Sequence, residues 1–108
     1  MIARVWSASA TAEGADRYRE HFTGTVLPQL HGLDGFLGAE LMEDGTGDRT
    51  HLLVVTRWET RAAIERFAGD EPGRAVVEPA AEAALIDFAT TVRHYEVTVR
   101  ASGTDRTR

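Results

Sequence analysis

The amino-acid sequence predicts one α+β domain of ferredoxin-like βαββαβ order, with a four-stranded antiparallel sheet and two helices on one of its faces. Its 108 residues are enough for one hydrophobic core and no more. Four short apolar segments are typical of strands, and two segments between them repeat apolar residues at helical spacing. The domain is expected to cover residues 1–100, and the polar residues 101–108 to form a mobile tail.

The first strand and the first helix are predicted from their apolar residues. Residues 1–8 combine large apolar and small side chains, which is typical of a strand. A helix is predicted from residue 13 to about residue 30, because Tyr18, Phe22 and Val26 recur at intervals of four.

Three residues are expected to shape this helix. Thr11 can cap its N-terminus with a side-chain oxygen, and Gly32 can end it. Pro28 is expected to bend it or to end its regular part, because the proline ring removes a donor and clashes with the preceding turn.

The remaining elements are predicted from apolar segments separated by turn residues. A turn with two glycines, residues 44–48, indicates a hairpin. In chain order we expect strand two at residues 36–43, strand three at 50–58, helix two from 59 to 67 or 68, short helical turns at 74–85 interrupted by Pro79, and strand four at 90–99.

The third strand predicts a homodimer. Residues 52–55 are Leu-Leu-Val-Val, and successive side chains of a strand point to opposite faces of the sheet. Two helices can cover only one face of a four-stranded sheet, so a monomer would expose a large apolar patch on the other. A second copy of the sheet, related by twofold symmetry, is the simplest cover.

The composition excludes several classes of chemistry. The chain has no cysteine, and all twelve of its basic residues are arginine, so thiol nucleophiles, zinc–thiolate sites and Schiff-base lysines are excluded. No histidine pair has the i, i+4 spacing of a helical metal site, and no Gly-rich phosphate loop is present. We therefore expect neither a metal nor another cofactor.

Charge and hydropathy argue against two kinds of partner. The net charge is −5 and the arginines are scattered, whereas nucleic-acid binding requires a clustered basic face. No apolar segment approaches the roughly 20 residues that span a bilayer, and the first residues do not resemble a signal peptide. A cytoplasmic protein that binds neither nucleic acid nor membrane is expected.

His94 is the first candidate for a catalytic base. It lies within the predicted fourth strand, where apolar neighbours could desolvate the ring and keep it neutral near pH 7. The alternative is a structural histidine that hydrogen bonds to the backbone or across a dimer. His21, among charged helix residues, and His51, beside the hairpin, are expected at the surface.

Aromatic residues and one arginine complete the candidate site. Trp58 ends strand three and could stack on a flat substrate or relay an electron, or could simply fill the core. Tyr18 could donate to a substrate oxyanion. Arg4 could bind such an oxyanion, although a salt bridge with an acid such as Glu96 is the favoured interpretation. The remaining predicted pocket residues are Trp6, Phe22 and Phe67.

Several short motifs resemble the antibiotic biosynthesis monooxygenase family. They are the opening MIARVW, Leu-Pro at residues 27–28, GFLGA at 35–39, TRWET at 56–60, FAGD at 67–70 and HYEV at 94–97. Together they cover roughly residues 1–99 in the family's order. The resemblance implies a dimeric α+β barrel whose two sheets face each other, with a pocket in each subunit between sheet and helices.

The activity that the resemblance implies is mixed. Some members are cofactor-free monooxygenases that oxidise anthrone-type polyketides, and others degrade haem. Haem-degrading members carry a tryptophan where Phe67 stands, and a downstream histidine without counterpart between His51 and His94. Quinone-forming members carry a tryptophan that Trp58 matches, but Val54 stands where one of their polar partners would be; Ile64 likewise replaces a polar residue.

The favoured function is therefore a cofactor-independent monooxygenase or tailoring enzyme, acting with dioxygen on an aromatic, polyketide-like small molecule. His94 would be its base, Trp58 its stacking or relay surface, and Tyr18 its oxyanion donor. Two alternatives keep the same pocket. One is a cyclase or isomerase that uses acid–base catalysis alone, and the other is a non-catalytic dimer that binds a small ligand.

Overall fold

The computed structural model describes residues 1–103 and contains one antiparallel sheet with helices packed on one face. The strands are β1 (Ile2–Ala10), β2 (Phe36–Asp44), β3 (Thr50–Trp58), β4 (Asp87–Phe88) and β5 (Arg93–Glu96). In the sheet, β3 lies between β2 and β1, and the other edge of β1 pairs with both β4 and β5. The predicted α+β, ferredoxin-like fold is confirmed.

The helices lie between the strands as the sequence predicts. They are α1 (Ala12–His21), α2 (Leu27–His31), α3 (Arg61–Ala68) and α4 (Pro79–Ala84), with a π-helical segment at Phe22–Val26. The predicted cap of α1 is present, because the Thr11 hydroxyl accepts a hydrogen bond from the Gly14 amide at 3.0 Å. Within residues 1–103 no helix is both long and apolar enough to cross a membrane.

Pro28 neither ends the first helical segment nor leaves it regular. Helical structure continues from Ala12 to His31, and the turn before Pro28 widens into the π-helical segment. A proline cannot donate to the carbonyl four residues earlier and clashes with it, and a π turn relieves that clash. Gly32 follows α2 as predicted, with a right-handed backbone (φ −82°).

The single strand predicted at residues 90–99 is not observed on the outer edge of β1. Two short strands lie along that edge instead: β4 pairs with Ala8 and Ser9 of β1, and β5 pairs with residues 2–5. Between them, the backbone amide of Val92 donates to Gly73 in the preceding loop. Of the helical turns predicted at residues 74–85, α4 is present, whereas residues 74–78 form no helix and Pro79 begins α4 instead of interrupting it.

Side chains of the third strand point alternately to the two faces of the sheet. Its even-numbered residues, among them Leu52 and Val54, are buried beneath the helices. Its odd-numbered residues point to the open face, where Leu53 is 37% exposed and Val55 is partly buried. The prediction of an apolar strand on both faces is confirmed, and the dimer inferred from it stays a prediction.

A glycine allows α1 and α4 to approach closely. Gly14 is buried, and a β-carbon built on it would lie 2.3 Å from the carbonyl oxygen of Ala84. Such a distance is far below van der Waals contact, so any side chain at this position would push the two helices apart. The approach brings the start of α4 beside the C-terminal part of α1, where the candidate site lies.

Candidate functional site

An enclosed, mostly apolar cavity lies between the sheet, the first helical segment and the chain that leads into α4. Its floor comes from β1 and β3, and one wall from α1 and the π-helical segment. Val76, Val77 and Glu78 form the opposite wall, and Phe67 of α3 closes one end. The cavity volume is about 60 Å³.

Five of the seven predicted site residues line this cavity: Arg4, Trp6, Tyr18, Phe22 and Phe67. The other two do not. His94 lies on β5 opposite Arg4, on the same face of the sheet, and reaches the cavity only through that arginine. Trp58 lies beneath the cavity wall, in the core.

Arg4 supplies a buried positive charge at the cavity floor. Its side chain donates to the carbonyl oxygen of Pro72 and, at 2.9 Å, to that of Arg74, and its guanidinium carbon lies 5.7 Å from the centre of the Phe67 ring. Burial lowers the pKa of Arg4 to about 10, so it remains charged at neutral pH.

The predicted salt bridge between Arg4 and a sheet acid such as Glu96 does not form. Within residues 1–103 no carboxylate lies within ion-pair distance of the guanidinium; its partners are two carbonyls and a histidine. Glu96 pairs with Ile2 in the sheet, two residues away along β1. A buried cation without a carboxylate is costly, which makes this side chain a strong attractor for an anion.

His94 binds Arg4 instead of facing the cavity directly. Its Nε2 atom lies 3.2 Å from Nη1 of Arg4, which can only donate, so Nε2 accepts and the ring is neutral. Burial lowers the pKa of His94 below its usual range, and the charges of Arg4 and Arg61 lower it further. This geometry favours a role in orienting the guanidinium.

Trp58 is fully buried in a second cluster of the core. Its ring stacks on Phe67 with centroids 5.7 Å apart and meets Phe36 edge-on at 5.4 Å. The indole nitrogen donates to the hydroxyl of Thr56 at 2.8 Å. Through Phe67 and Thr56, both of which line the cavity, Trp58 supports the site from behind.

Trp6 and Tyr18 form the aromatic side of the cavity. Their ring centroids are 5.8 Å apart, and the Trp6 indole nitrogen donates to the carbonyl of Ala89 at 2.7 Å, which fixes its plane. Tyr18 also packs against Phe22 at 6.3 Å. Burial, with a smaller contribution from Glu78, raises the pKa of Tyr18 to about 12, so its hydroxyl stays protonated at neutral pH and can donate.

His21 and Glu78 are cavity residues that the sequence interpretation did not select. His21 was expected at the surface, but its side chain is only 11% exposed and lines the cavity together with Glu78. A helical signal was available, because His21 lies three residues after Tyr18 and therefore on the same face of α1. Nothing in the sequence indicated that residue 78 would pack against that face.

The site combines a cation without a carboxylate partner among residues 1–103, a phenol donor and a histidine–carboxylate pair within aromatic walls. Such a set can bind a small aromatic anion and move a proton. Within residues 1–103 no three His, Asp or Glu side chains converge as a metal site would require.

Sequence comparison identifies the family. The sequence profile of the antibiotic biosynthesis monooxygenase family matches residues 1–79. The chain belongs to this family. No curated protein matches it.

Solved structures share the fold of this family member at low identity. A protein described as an antibiotic biosynthesis monooxygenase of Deinococcus radiodurans is 19% identical, with a TM-score of 0.66 over 97% of this chain and 100% of that one. The heme-degrader MhuD of Mycobacterium tuberculosis is 19% identical, with a TM-score of 0.58 over 94% and 100%. SnoaB, a cofactor-independent oxygenase from Streptomyces nogalater, is 15% identical, with a TM-score of 0.54 over 96% and 98%.

These similarities establish the fold and leave the substrate open, because structures with one fold catalyse different reactions.

Proposed function

We propose that this family member is a cofactor-independent monooxygenase that oxidises a small aromatic, polyketide-like molecule with an acidic C–H or phenolic O–H group. The observation that carries the proposal is the buried Arg4 cation, which has no carboxylate partner among the described residues and lies in a cavity with aromatic walls. Electrostatic stabilisation of a substrate anion is what lets such a substrate reduce dioxygen itself.

The reaction balances without a further reductant. A base removes one proton from an activated CH₂ group, and the carbanion transfers one electron to dioxygen. The resulting radicals combine into a carbon–oxygen bond, and the distal oxygen takes up a proton. Loss of the second C–H proton then breaks the O–O bond and releases water, so that CH₂ and O₂ become C=O and H₂O.

Four side chains of the site have separate roles in this proposal. Arg4 stabilises the negative charge on the substrate oxygen, and Tyr18 donates a hydrogen bond to the same charge. His94 orients Arg4 through the 3.2 Å contact. Trp58 holds the wall of the cavity through its stacking on Phe67, at 5.7 Å between centroids.

The cavity has to open to admit a substrate of several rings. Its volume of about 60 Å³ is far below the roughly 300–1,000 Å³ of ordinary ligand pockets. The wall at residues 76 and 77 is the part that can move, because it belongs to the non-helical chain between α3 and α4 and is partly exposed. We propose that substrate binding displaces this wall outward.

We further propose that the enzyme works as a homodimer in the cytoplasm. The open face of the sheet carries apolar residues from four strands: Val5, Met42, Leu53, Val55 and Tyr95. The Arg57–Glu40 ion pair lies on the same face. A second copy of this face, related by twofold symmetry, would cover the apolar residues of both sheets.

Oxygen consumption with 1,8-dihydroxyanthrone tests the proposed reaction. The enzyme should consume one dioxygen per substrate and form the quinone faster than the reaction in buffer, without any added metal, flavin or haem. Ring rearrangement without oxygen uptake would instead indicate a cyclase or isomerase. Binding without turnover would indicate a ligand-binding protein, and a Soret band formed on titration with haem would favour haem chemistry.

A further inference from the structure

A histidine and a carboxylate meet in the lining of the cavity. His21 lies at the C-terminal end of α1, and Glu78 lies directly before α4 on the opposite wall. The His21 Nε2 atom is 3.6 Å from the nearer carboxylate oxygen of Glu78. This nitrogen is buried and makes no hydrogen bond within the described residues.

A buried ring nitrogen without a partner is uncommon, because its lost hydration is not compensated. A ring nitrogen without a hydrogen-bond partner can take up a proton, and a carboxylate oxygen 3.6 Å away can stabilise the imidazolium once it forms. The other ionisable groups that line the cavity are Tyr18, on the same face of α1, and Arg4, on the floor.

We propose that His21 is the general base of this cavity and that Glu78 stabilises its protonated form. This inference rests on the proposed function and names the residue that starts the reaction. The proton leaves the substrate's C–H or O–H group for His21 Nε2, and the electron pair stays on the substrate beside Arg4. Once the substrate has bonded to dioxygen, the same proton can return to the distal oxygen.

His21 fits this role better than His94. The cavity is lined by His21 and not by His94, whose Nε2 is already occupied by Arg4.

Matched variants separate a catalytic His21 from a structural one. His21→Gln and Glu78→Gln change the pair. His31→Gln and Glu82→Gln make the same chemical changes at exposed positions, outside the cavity. With 1,8-dihydroxyanthrone, His21→Gln should lower kcat by roughly 10²–10⁴ with little change in KM, which is the effect of losing a general base. Glu78→Gln should lower kcat less, and both controls should match the wild type.

Imidazole ¹⁵N NMR provides a readout independent of turnover, with 1,8-dihydroxyanthraquinone as an unreactive ligand. The His21 ring should change from its neutral to its imidazolium signature as the phenol ionises on binding, and this change should weaken in Glu78→Gln.

The outcomes distinguish the two proposals. If the wild type turns over and His21→Gln retains its kcat, or if the bound ligand ionises while His21 stays neutral, the assignment of His21 is overturned and the monooxygenase proposal stands. If the wild type neither consumes oxygen nor ionises the ligand, both are overturned. A folded His21→Gln, shown by its circular dichroism, is required, and His21→Asn provides a second variant.

Discussion

Replacing Arg4 by Met removes the buried positive charge on which the proposed reaction depends, while an apolar stem of similar length continues to fill the floor. The neutral side chain should therefore leave the shape of the cavity nearly intact and change its electrostatics. Arg4→Lys is the matched control, because it retains the charge and loses only the planar fork that binds the carbonyls of Pro72 and Arg74.

The expected size follows from Coulomb's law. A unit positive charge about 4 Å from a phenolate, at an effective dielectric constant of about 20, stabilises the anion by about 4 kcal/mol. Since one pKa unit corresponds to about 1.4 kcal/mol, the phenol of a bound ligand should lose its proton about 3 pH units lower than in water. For turnover, loss of one such stabilising group typically lowers kcat by about 10²–10³.

Spectroscopic titration of bound 1,8-dihydroxyanthraquinone measures this shift, because the phenolate absorbs at longer wavelength than the phenol. The wild type and Arg4→Lys should lower the ligand's pKa, and Arg4→Met should leave it near its value in water. If Arg4→Met binds the ligand and lowers its pKa as much as the wild type does, the guanidinium is a structural clamp for the loop and the electrostatic argument fails.

Three further predictions concern assembly and stability. Light scattering on the wild type should give twice the chain mass of 11.8 kDa, whereas Val55→Asp on the open face should give a folded monomer; a monomeric wild type would contradict the dimer. Burial lowers the pKa of His94 in the folded state, so the folded state binds fewer protons than the unfolded chain. The free energy of unfolding should thus fall as the pH drops below about 6.5, more steeply for the wild type than for His94→Gln, and parallel urea-unfolding curves across pH would refute this. Gly14→Ala should lower the free energy of unfolding by about 1–3 kcal/mol, because its β-carbon would lie 2.3 Å from the Ala84 carbonyl, whereas Gly24→Ala, with open space around it, should be tolerated; equal melting temperatures for the two variants would refute the packing argument.

The order of the elements was predictable because it depends on local signals. Strand three was predicted at its observed bounds, since turn residues flank a continuous apolar segment. The N-terminal cap at Thr11 depends on one hydroxyl and a helical start directly after it. The errors occurred where a local signal had to compete with tertiary contacts: residues 74 and 75 are not helical, because the Ala75 amide donates to Thr90 and the Arg74 carbonyl accepts from Arg4.

The candidate site was likewise predictable only where local sequence signals decide the position of a residue. Sequence alone selected five residues that line the cavity, because apolar spacing places them on the covered face of the sheet or the inner face of a helix. It misjudged the surroundings of the histidines. His94 lies on the predicted strand, yet the register that sets it opposite Arg4 is fixed by long-range pairing of β1 with β5.

The sequence by itself determined the family, the fold class and the two-faced third strand, because these follow from residue order, periodicity and short motifs. Only the tertiary structure decided which charges meet. Among the described residues Arg4 has no carboxylate partner because Glu96 is displaced along the sheet, and His21 faces Glu78 because Gly14 lets α4 approach α1. Both facts depend on contacts between residues more than 50 positions apart in the chain, and no local sequence pattern predicts such contacts.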